Sequence, residues 1–179
     1  MVNNLMDMAR LQSGAIELNL QWQPIEEVVG TSLQATHQPL IVHAVQLQIP
    51  SGLPLLNIDA ALIERVLCNL LENAAKYTLP GSHILIAAVL HADKLRLSVS
   101  DDGPGLPEGR SEQLFAKFSR GERESSTPGV GLGLAICRAI VEAHDGRIWA
   151  ERGAEGGASF VIELPLGNPP ALPEDEQHE

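Results

Sequence analysis

Leu67-Cys68-Asn69-Leu70-Leu71-Glu72-Asn73-Ala74-Ala75-Lys76-Tyr77-Thr78 carries two patterns at once. At about 100° per residue, a helix through Arg65–Lys76 gathers Arg65, Asn69, Glu72, Asn73 and Lys76 into one arc of roughly 100°. Ile63, Val66, Leu67, Leu70, Leu71 and Ala74 fall on the opposite side. Polar helix faces are ordinarily just solvated. Asn, however, is a poor helix former, and Asn69 and Asn73 stand one turn apart in mid-helix. Two aligned amide oxygens followed by the Lys76 ammonium suit a hard cation and the phosphate oxygens it bridges.

Working outward, Asp59 supplies an N-cap for this helix and Pro80-Gly81 closes it after Thr78. Downstream, the apolar runs Ile84–Leu90 and Leu95–Ser100 are joined around Ala92-Asp93 and read as a hairpin. A helix over Leu132–Ala143 and strands over Arg147–Ala150 and Ser159–Leu164 follow. Upstream, Ile16, Leu18, Leu20 and Trp22 alternate as a half-buried strand, and Pro24 with Glu26-Glu27 opens a helix to about His37. Val45, Leu47 and Ile49 alternate again. Interleaved helices and strands with late hairpins predict an α/β (α+β) two-layer sandwich, a mixed sheet packed on helices.

Between the hairpin and the last helix, glycines and prolines recur from Asp101 to Gly133, and only Glu112–Phe118 is amphipathic. A loop of that length inside a compact domain is usually functional. It begins with Asp101-Asp102-Gly103-Pro104-Gly105-Leu106, directly after an apolar strand. Alternate glycines let the backbone approach a flat ligand, and a strand-end carboxylate can accept a hydrogen bond from an exocyclic amine; an acidic turn is the plainer alternative. The loop ends with Gly129-Val130-Gly131-Leu132-Gly133-Leu134, whose amides and helix start suit phosphate. No buried strand or βαβ unit precedes this second glycine run, so a dinucleotide fingerprint of the doubly wound type is excluded. A third pair, Gly156-Gly157, precedes Ser159 and Phe160.

The 179 residues, with 12 Lys and Arg against 23 Asp and Glu, carry a net charge of -11, which disfavours nucleic acid and anionic lipid as direct partners. Only 3% of residues are aromatic, so few rings are available for stacking bases. Cys68 and Cys137 have no metal-like spacing and lie in apolar helical patterns, which predicts buried free thiols in a reducing compartment. No apolar run is long enough to span a bilayer and Met1 opens no signal peptide, so a soluble chain is expected.

Taken together, the motifs resemble the catalytic ATP-binding domain of bacterial sensor histidine kinases. That branch belongs to the superfamily of DNA gyrase, the ninety-kilodalton heat-shock chaperone and the mismatch-repair ATPases. The resemblance covers about Leu5–Pro165: Leu67–Thr78 matches the N box, Asp101–Leu106 the first glycine box, Leu114-Phe115-Ala116-Lys117-Phe118 the F box, and Gly129–Ile136 the second glycine box. His144-Asp145-Gly146 and Leu164-Pro165 also fit, and the wording is most similar to the potassium-responsive branch of the family.

The resemblance implies a Bergerat-type ATP-binding fold with a long ATP lid, and ATP and Mg²⁺ as cofactors. Asn73 would ligate Mg²⁺, with Asn69 and Lys76 on phosphate oxygens; these three are the expected catalytic residues. Asp101 would take the adenine amino group, helped through water by Ser159, with Gly103 and Gly105 giving the base close approach and Tyr77 packing on it. Gly129, Gly131, Leu132, Gly133 and Leu134 would form the lid hinge over the triphosphate, with Lys117 contributing charge. Arg120 and Arg123 are further lid bases, although Glu122 and Glu124 beside them fit solvated ion pairs equally well. Hydrolysing relatives carry a Glu one turn before the metal-binding Asn. Asn69 stands there, an amide cannot act as general base, and Glu72 projects about 100° away from Asn73. Slow hydrolysis and phosphoryl transfer to another nucleophile are therefore expected.

None of the six histidines, His37, His43, His83, His91, His144 and His178, has the context of a phosphoacceptor. Residues 1–14 resemble the end of a second dimerisation helix, 15–166 the catalytic domain, and 167–179 an acidic tail of disordered composition. The expected partners are an upstream dimerisation domain bearing the acceptor histidine and the receiver domain of a response regulator. The parent would be a homodimer at the cytoplasmic side of the bacterial inner membrane. A nucleotide-binding module without transfer and a serine-directed kinase of the same fold are the competing readings.

Overall fold

The computed structural model describes residues 17–106, 109, 111–116, 133–154 and 156–168. Its elements run β1 (Gln21–Gln23), α1 (Ile25–Ala35), α2 (His37–Leu40), β2 (Ala44–Gln48), β3 (Leu56–Ile58), α3 (Ala60–Tyr77), β4 (His83–His91), β5 (Lys94–Asp101), a 3₁₀ turn (Glu112–Phe115), α4 (Gly133–Ala143), β6 (Arg147–Arg152) and β7 (Ala158–Pro165). Five strands form one sheet in the order β2-β4-β5-β7-β6, while β1 and β3 pair separately. The β2–β4 pair is parallel and every other pair in the large sheet is antiparallel. This is the mixed sheet on helices that the sequence predicts.

The central helix α3 is built as its pattern requires. Ile63, Val66, Leu67, Leu70, Leu71 and Ala74 are all buried, each large one stabilising the fold by about 1.5–3 kcal/mol when withdrawn from water. Helix α3 packs between α1 and α4, and its apolar face meets Ile84, Ile86, Leu95, Leu97 and Val99 of β4 and β5 in one core. Because α3 lies in the connection from β2 to β4, its polar face is held at one end of the sandwich. Helix α1 starts after Pro24, whose φ of -73° suits a helix entry, with Glu26 and Glu27 in the first turn.

Four expectations change. The strand expected from Ile16 to Trp22 is a three-pair ladder, Gln21–Gln23, because its partner β3 is only three residues long. β3 itself has too few residues to show a period. Val45 and Leu47 are not half-buried: they are 37% and 50% exposed on β2, a sheet edge paired on one side only. The thiols differ too, since Cys137 is buried but Cys68 only half-buried. Residues 1–14, Lys117, Arg120, Arg123, Gly129, Gly131, Leu132, His178 and the tail beyond Asn168 lie outside the described residues.

Among the described residues no helix is long and apolar enough to cross a membrane.

Candidate functional site

The start of α3 is clamped from two sides. Asp59 Oδ1 accepts from the backbone N–H of Leu62 at 3.2 Å, and Oδ2 from that of Asn19 at 3.0 Å. The backbone N–H of Asp59 donates to His144 Nε2 at 3.0 Å, while His144 Nδ1 lies 2.7 Å from the carbonyl of Ile140. An imidazole that accepts at Nε2 and donates at Nδ1 is neutral. His144 thus ties the N-cap of α3 to the last turn of α4. The two residues after it make the exit: Asp145 has φ 56°, and a Cβ on Gly146 would stand 2.6 Å from the carbonyl oxygen of Glu163.

Toward the other end of α3, Asn73 Nδ2 donates a long 3.5 Å hydrogen bond to Asn69 Oδ1. Asn69 also faces the first residue of α4, where a Cβ on Gly133 would come within 2.7 Å of both amide atoms. Asn69 and Asn73 are partly buried, and Glu72 and Lys76 are exposed. Lys76 Nζ sits 5.0 Å from the centroid of the Tyr77 ring, which is 42% exposed. The Thr78 hydroxyl donates to the Ala74 carbonyl at 2.7 Å, which leaves His43 Nε2, 3.0 Å away, as the donor to Thr78.

Thr78 joins this cluster to the glycine loop. A Cβ on Gly103 would meet the Thr78 methyl at 2.8 Å and Asp101 Oδ1 at 2.9 Å. Asp101 Oδ1 accepts from the backbone N–H groups of Gly103 (2.9 Å) and Ala158 (3.3 Å), so the carboxylate is oriented from behind by two segments. Gly105 takes φ +80° with its Cβ position 2.9 Å from the Gly156 carbonyl. The tightest approach is at Gly157, where a Cβ would lie 1.8 Å from the Asp101 carbonyl oxygen. Ser159 is buried, its hydroxyl 2.8 Å from that of Ser100. Asp102 turns away to His83, with Oδ2 2.9 Å from Nδ1 and Oδ1 accepting the His83 backbone N–H at 3.0 Å. That hydrogen bond holds the Asp102 carboxyl below its usual range.

The 3₁₀ turn is anchored by Phe115, which is buried edge-on against Phe160 at 6.2 Å and 72°. Arg138 of α4 covers its ring at 4.3 Å and pairs with Glu112 at 3.0 Å. A cavity of about 350 Å³ opens beside Gly105, Leu106, Arg152 and Gly156. Asn69, Asn73 and Asp101 do not line it.

Of the expected site residues, the fold brings together Asn69, Asn73 and Gly133 at one cluster, and Asp101, Gly103, Gly105 and Ser159 at the other. Leu134 packs against the core beside them. The sequence reading marks Gly157 as one of a glycine pair but assigns no site role to it, to Thr78 or to His43. Gly157 is signalled by its glycine pair, whereas nothing in the sequence marks His43, 35 residues from its partner Thr78.

Residues 58–168 match the family described as histidine kinase-, DNA gyrase B-, and HSP90-like ATPase. The chain belongs to that family. Among ATPase-family relatives, the sensor protein KdpD of Escherichia coli (strain K12) is 50% identical over 179 residues, all of this chain and 20% of KdpD. The adaptive-response sensory kinase SasA of Synechococcus sp. (strain JA-3-3Ab) is 38% identical over 178 residues, 93% of this chain and 45% of SasA. The chain therefore spans less than half the length of these relatives. Full-length ShkA in complex with AMPPNP superposes with a TM-score of 0.79 at 28% identity, over 92% of this chain and 35% of ShkA. The catalytic domain of histidine kinase ThkA gives 0.72 at 26% identity, over 83% of this chain and 97% of that domain.

Proposed function

We propose that this chain is the catalytic ATP-binding domain of a sensor histidine kinase, holding Mg·ATP between α3 and the glycine loop after β5. The γ-phosphoryl group passes to a histidine on a separate dimerisation domain. The observation that carries the reading is the Asp101 carboxylate: Oδ1 is fixed by two backbone amides, Gly103 and Gly157 leave no room for side chains beside it, and Gly105 packs on Gly156 and Gly157 next to them. Such a cradle fits a flat base with an exocyclic amine, which Oδ2 accepts. The Asn69–Asn73 amide ladder fits a hard cation and phosphate oxygens.

In this reading Asn73 would hold Mg²⁺, and Asn69 and Lys76 would bind phosphate oxygens. Tyr77 packs on the adenine, and Ser159 assists Asp101 through a water. Lys117, Gly129, Gly131, Leu132, Gly133 and Leu134 border the triphosphate. When bound, Mg²⁺ would supply charge neutralisation for the phosphoryl group that ATP would donate. Asn69 orients but abstracts no proton, so water is a poor acceptor.

Residues 1–14 are then the end of a dimerisation helix, 15–166 the catalytic unit and 167–179 an appended tail. The likeness to KdpD supports a potassium-responsive parent, a homodimer at the cytoplasmic side of the inner membrane that feeds the receiver domain of a response regulator.

Calorimetry of ATP binding with and without Mg²⁺, on the wild type and on Asn73→Ala and Asp101→Ala, tests the site. Binding that is Mg²⁺-dependent in the wild type, loses that dependence in Asn73→Ala and is abolished in Asp101→Ala is expected; unchanged binding in both variants overturns it. Transfer is tested with labelled ATP: acid-labile phosphate should appear on a separately supplied dimerisation domain and not on this chain.

A further inference from the structure

Strands β5, β7 and β6 present, on the side away from the helices, a cluster that the nucleotide site does not use. Arg96 stands in register with Glu163 and Glu163 with Arg147, while Trp149 faces Val161. The Trp149 ring has the Arg96 guanidinium 5.6 Å and the Arg147 guanidinium 5.3 Å from its centroid, both within cation–π range. Glu163 is committed: Arg96 Nε donates to Oε2 at 2.7 Å and Lys94 Nζ to Oε1 at 3.0 Å. Glu151 is engaged as well, accepting the Trp149 indole N–H at 2.9 Å. Arg147 is exposed and forms no ion pair among the described residues. In a chain of net charge -11, a cationic and aromatic face of this kind asks for an anionic partner.

The chain itself carries one at the right place. Pro165 pairs with Lys94, and the backbone N–H of Leu166 donates to the Asp93 carbonyl at 3.0 Å, so the polypeptide leaves the sheet beside the patch. Gly167, at φ +67°, turns it where it passes Trp22. Beyond Asn168 come Pro169, Pro170 and Pro173, then Glu174, Asp175, Glu176 and Glu179 with no Lys or Arg among them. Six residues of extended, proline-rich chain reach roughly 19 Å. From Gly167 back to the level of Arg147, on the next strand, is on the order of 15 Å by strand rise and spacing.

We propose that the acidic segment Glu174–Glu179 docks by charge on the face formed by Lys94, Arg96, Arg147 and Trp149 of its own chain. Exposed ion pairs are individually weak, and the tether supplies the local concentration that makes them count. The patch lies at the end of β5 remote from Asp101, so docking covers the sheet and leaves the nucleotide site open.

Paramagnetic relaxation tests this in the full chain, with a spin label on Gln177→Cys in a Cys68→Ser background; Cys137 is buried and stays unlabelled. At low ionic strength the amides of Arg96, Arg147 and Trp149 should lose more than half their intensity. They should recover at about 1 M salt, where charges are screened beyond about 3 Å. Recovery is also expected with Arg147→Glu, and with the four tail acids replaced by Gln or Asn. Intact intensities at low salt, loss spread evenly over the surface, loss that survives both high salt and Arg147→Glu, or loss seen only between differently labelled chains would overturn the proposal.

Discussion

Asn69 and Gly133 share one small volume: a Cβ on Gly133 would sit 2.7 Å from both the oxygen and the nitrogen of the Asn69 carboxamide. The start of α4 and the polar face of α3 can approach this closely only while position 133 has no side chain. Gly133→Ala should therefore displace Asn69 even though alanine raises helix propensity by about 1 kcal/mol. Thermal stability should change little, while affinity for Mg·ATP falls about tenfold, equivalent to about 1.4 kcal/mol. Calorimetry beside a melting curve separates the two, and an unchanged affinity would show that Asn69 does not contact the ligand.

Asp101 is held from behind, so its chemistry can be changed without its position. Asp101→Asn retains an oxygen for the backbone amides but removes the charge, and hydrogen bonds to charged groups are worth about 1.5–3 kcal/mol. Affinity for ATP should fall about tenfold or more while the melting temperature stays near the wild type. Gly157→Ala is the contrasting case, because its Cβ would lie 1.8 Å from the Asp101 carbonyl oxygen. Backbone must move, and both affinity and stability should drop.

His144→Ala leaves the Asp59 N–H without its acceptor, while the Ile140 carbonyl keeps the backbone N–H of residue 144. A buried group left unpaired costs about 1–3 kcal/mol, so denaturant unfolding should shift by that order. Asp59→Ala removes the cap itself, at about 1 kcal/mol. Normal stability in His144→Ala would mean that the α3–α4 clamp does not contribute to folding.

Two carboxyls contribute to the acid limb of stability. Glu163 is held below its usual range first by the hydrogen bond from Arg96 and then by that from Lys94, and Asp102 by that from His83. A carboxyl whose folded pKa is depressed stabilises the fold fully above its unfolded value, about 4, and loses that contribution as pH falls through the folded value. Stability should fall below about pH 4, and Glu163→Gln should flatten that limb in acid titrations followed by circular dichroism.

Much of this architecture is legible in the sequence where pattern and chemistry coincide. The face of α3 and the Asp59 cap follow from local residue choice, and the place of the β4–β5 turn from the break between two apolar runs, although Ala92 takes φ 56° against its own preference. The residues of the proposed site stand out in the sequence because asparagine in mid-helix and alternating glycines conflict with local propensity. What sequence does not show is pairing at a distance: Gly157 against Asp101, Thr78 between His43 and Gly103, and Arg138 over Phe115 each join separate elements. The edge strand β2 misleads for the opposite reason, since Val45 and Leu47 of its apolar alternation stay exposed and only Ile49 packs against the core.

The two cysteines set how the domain meets oxidants. Burial pushes the Cys137 thiol up to about 12, and burial together with Glu64 and Glu72 raises that of Cys68. Thiolate is the reactive form, so near neutral pH both sulfurs are poor nucleophiles. Oxidants that react through thiolate therefore find little purchase on either sulfur of this domain near neutral pH.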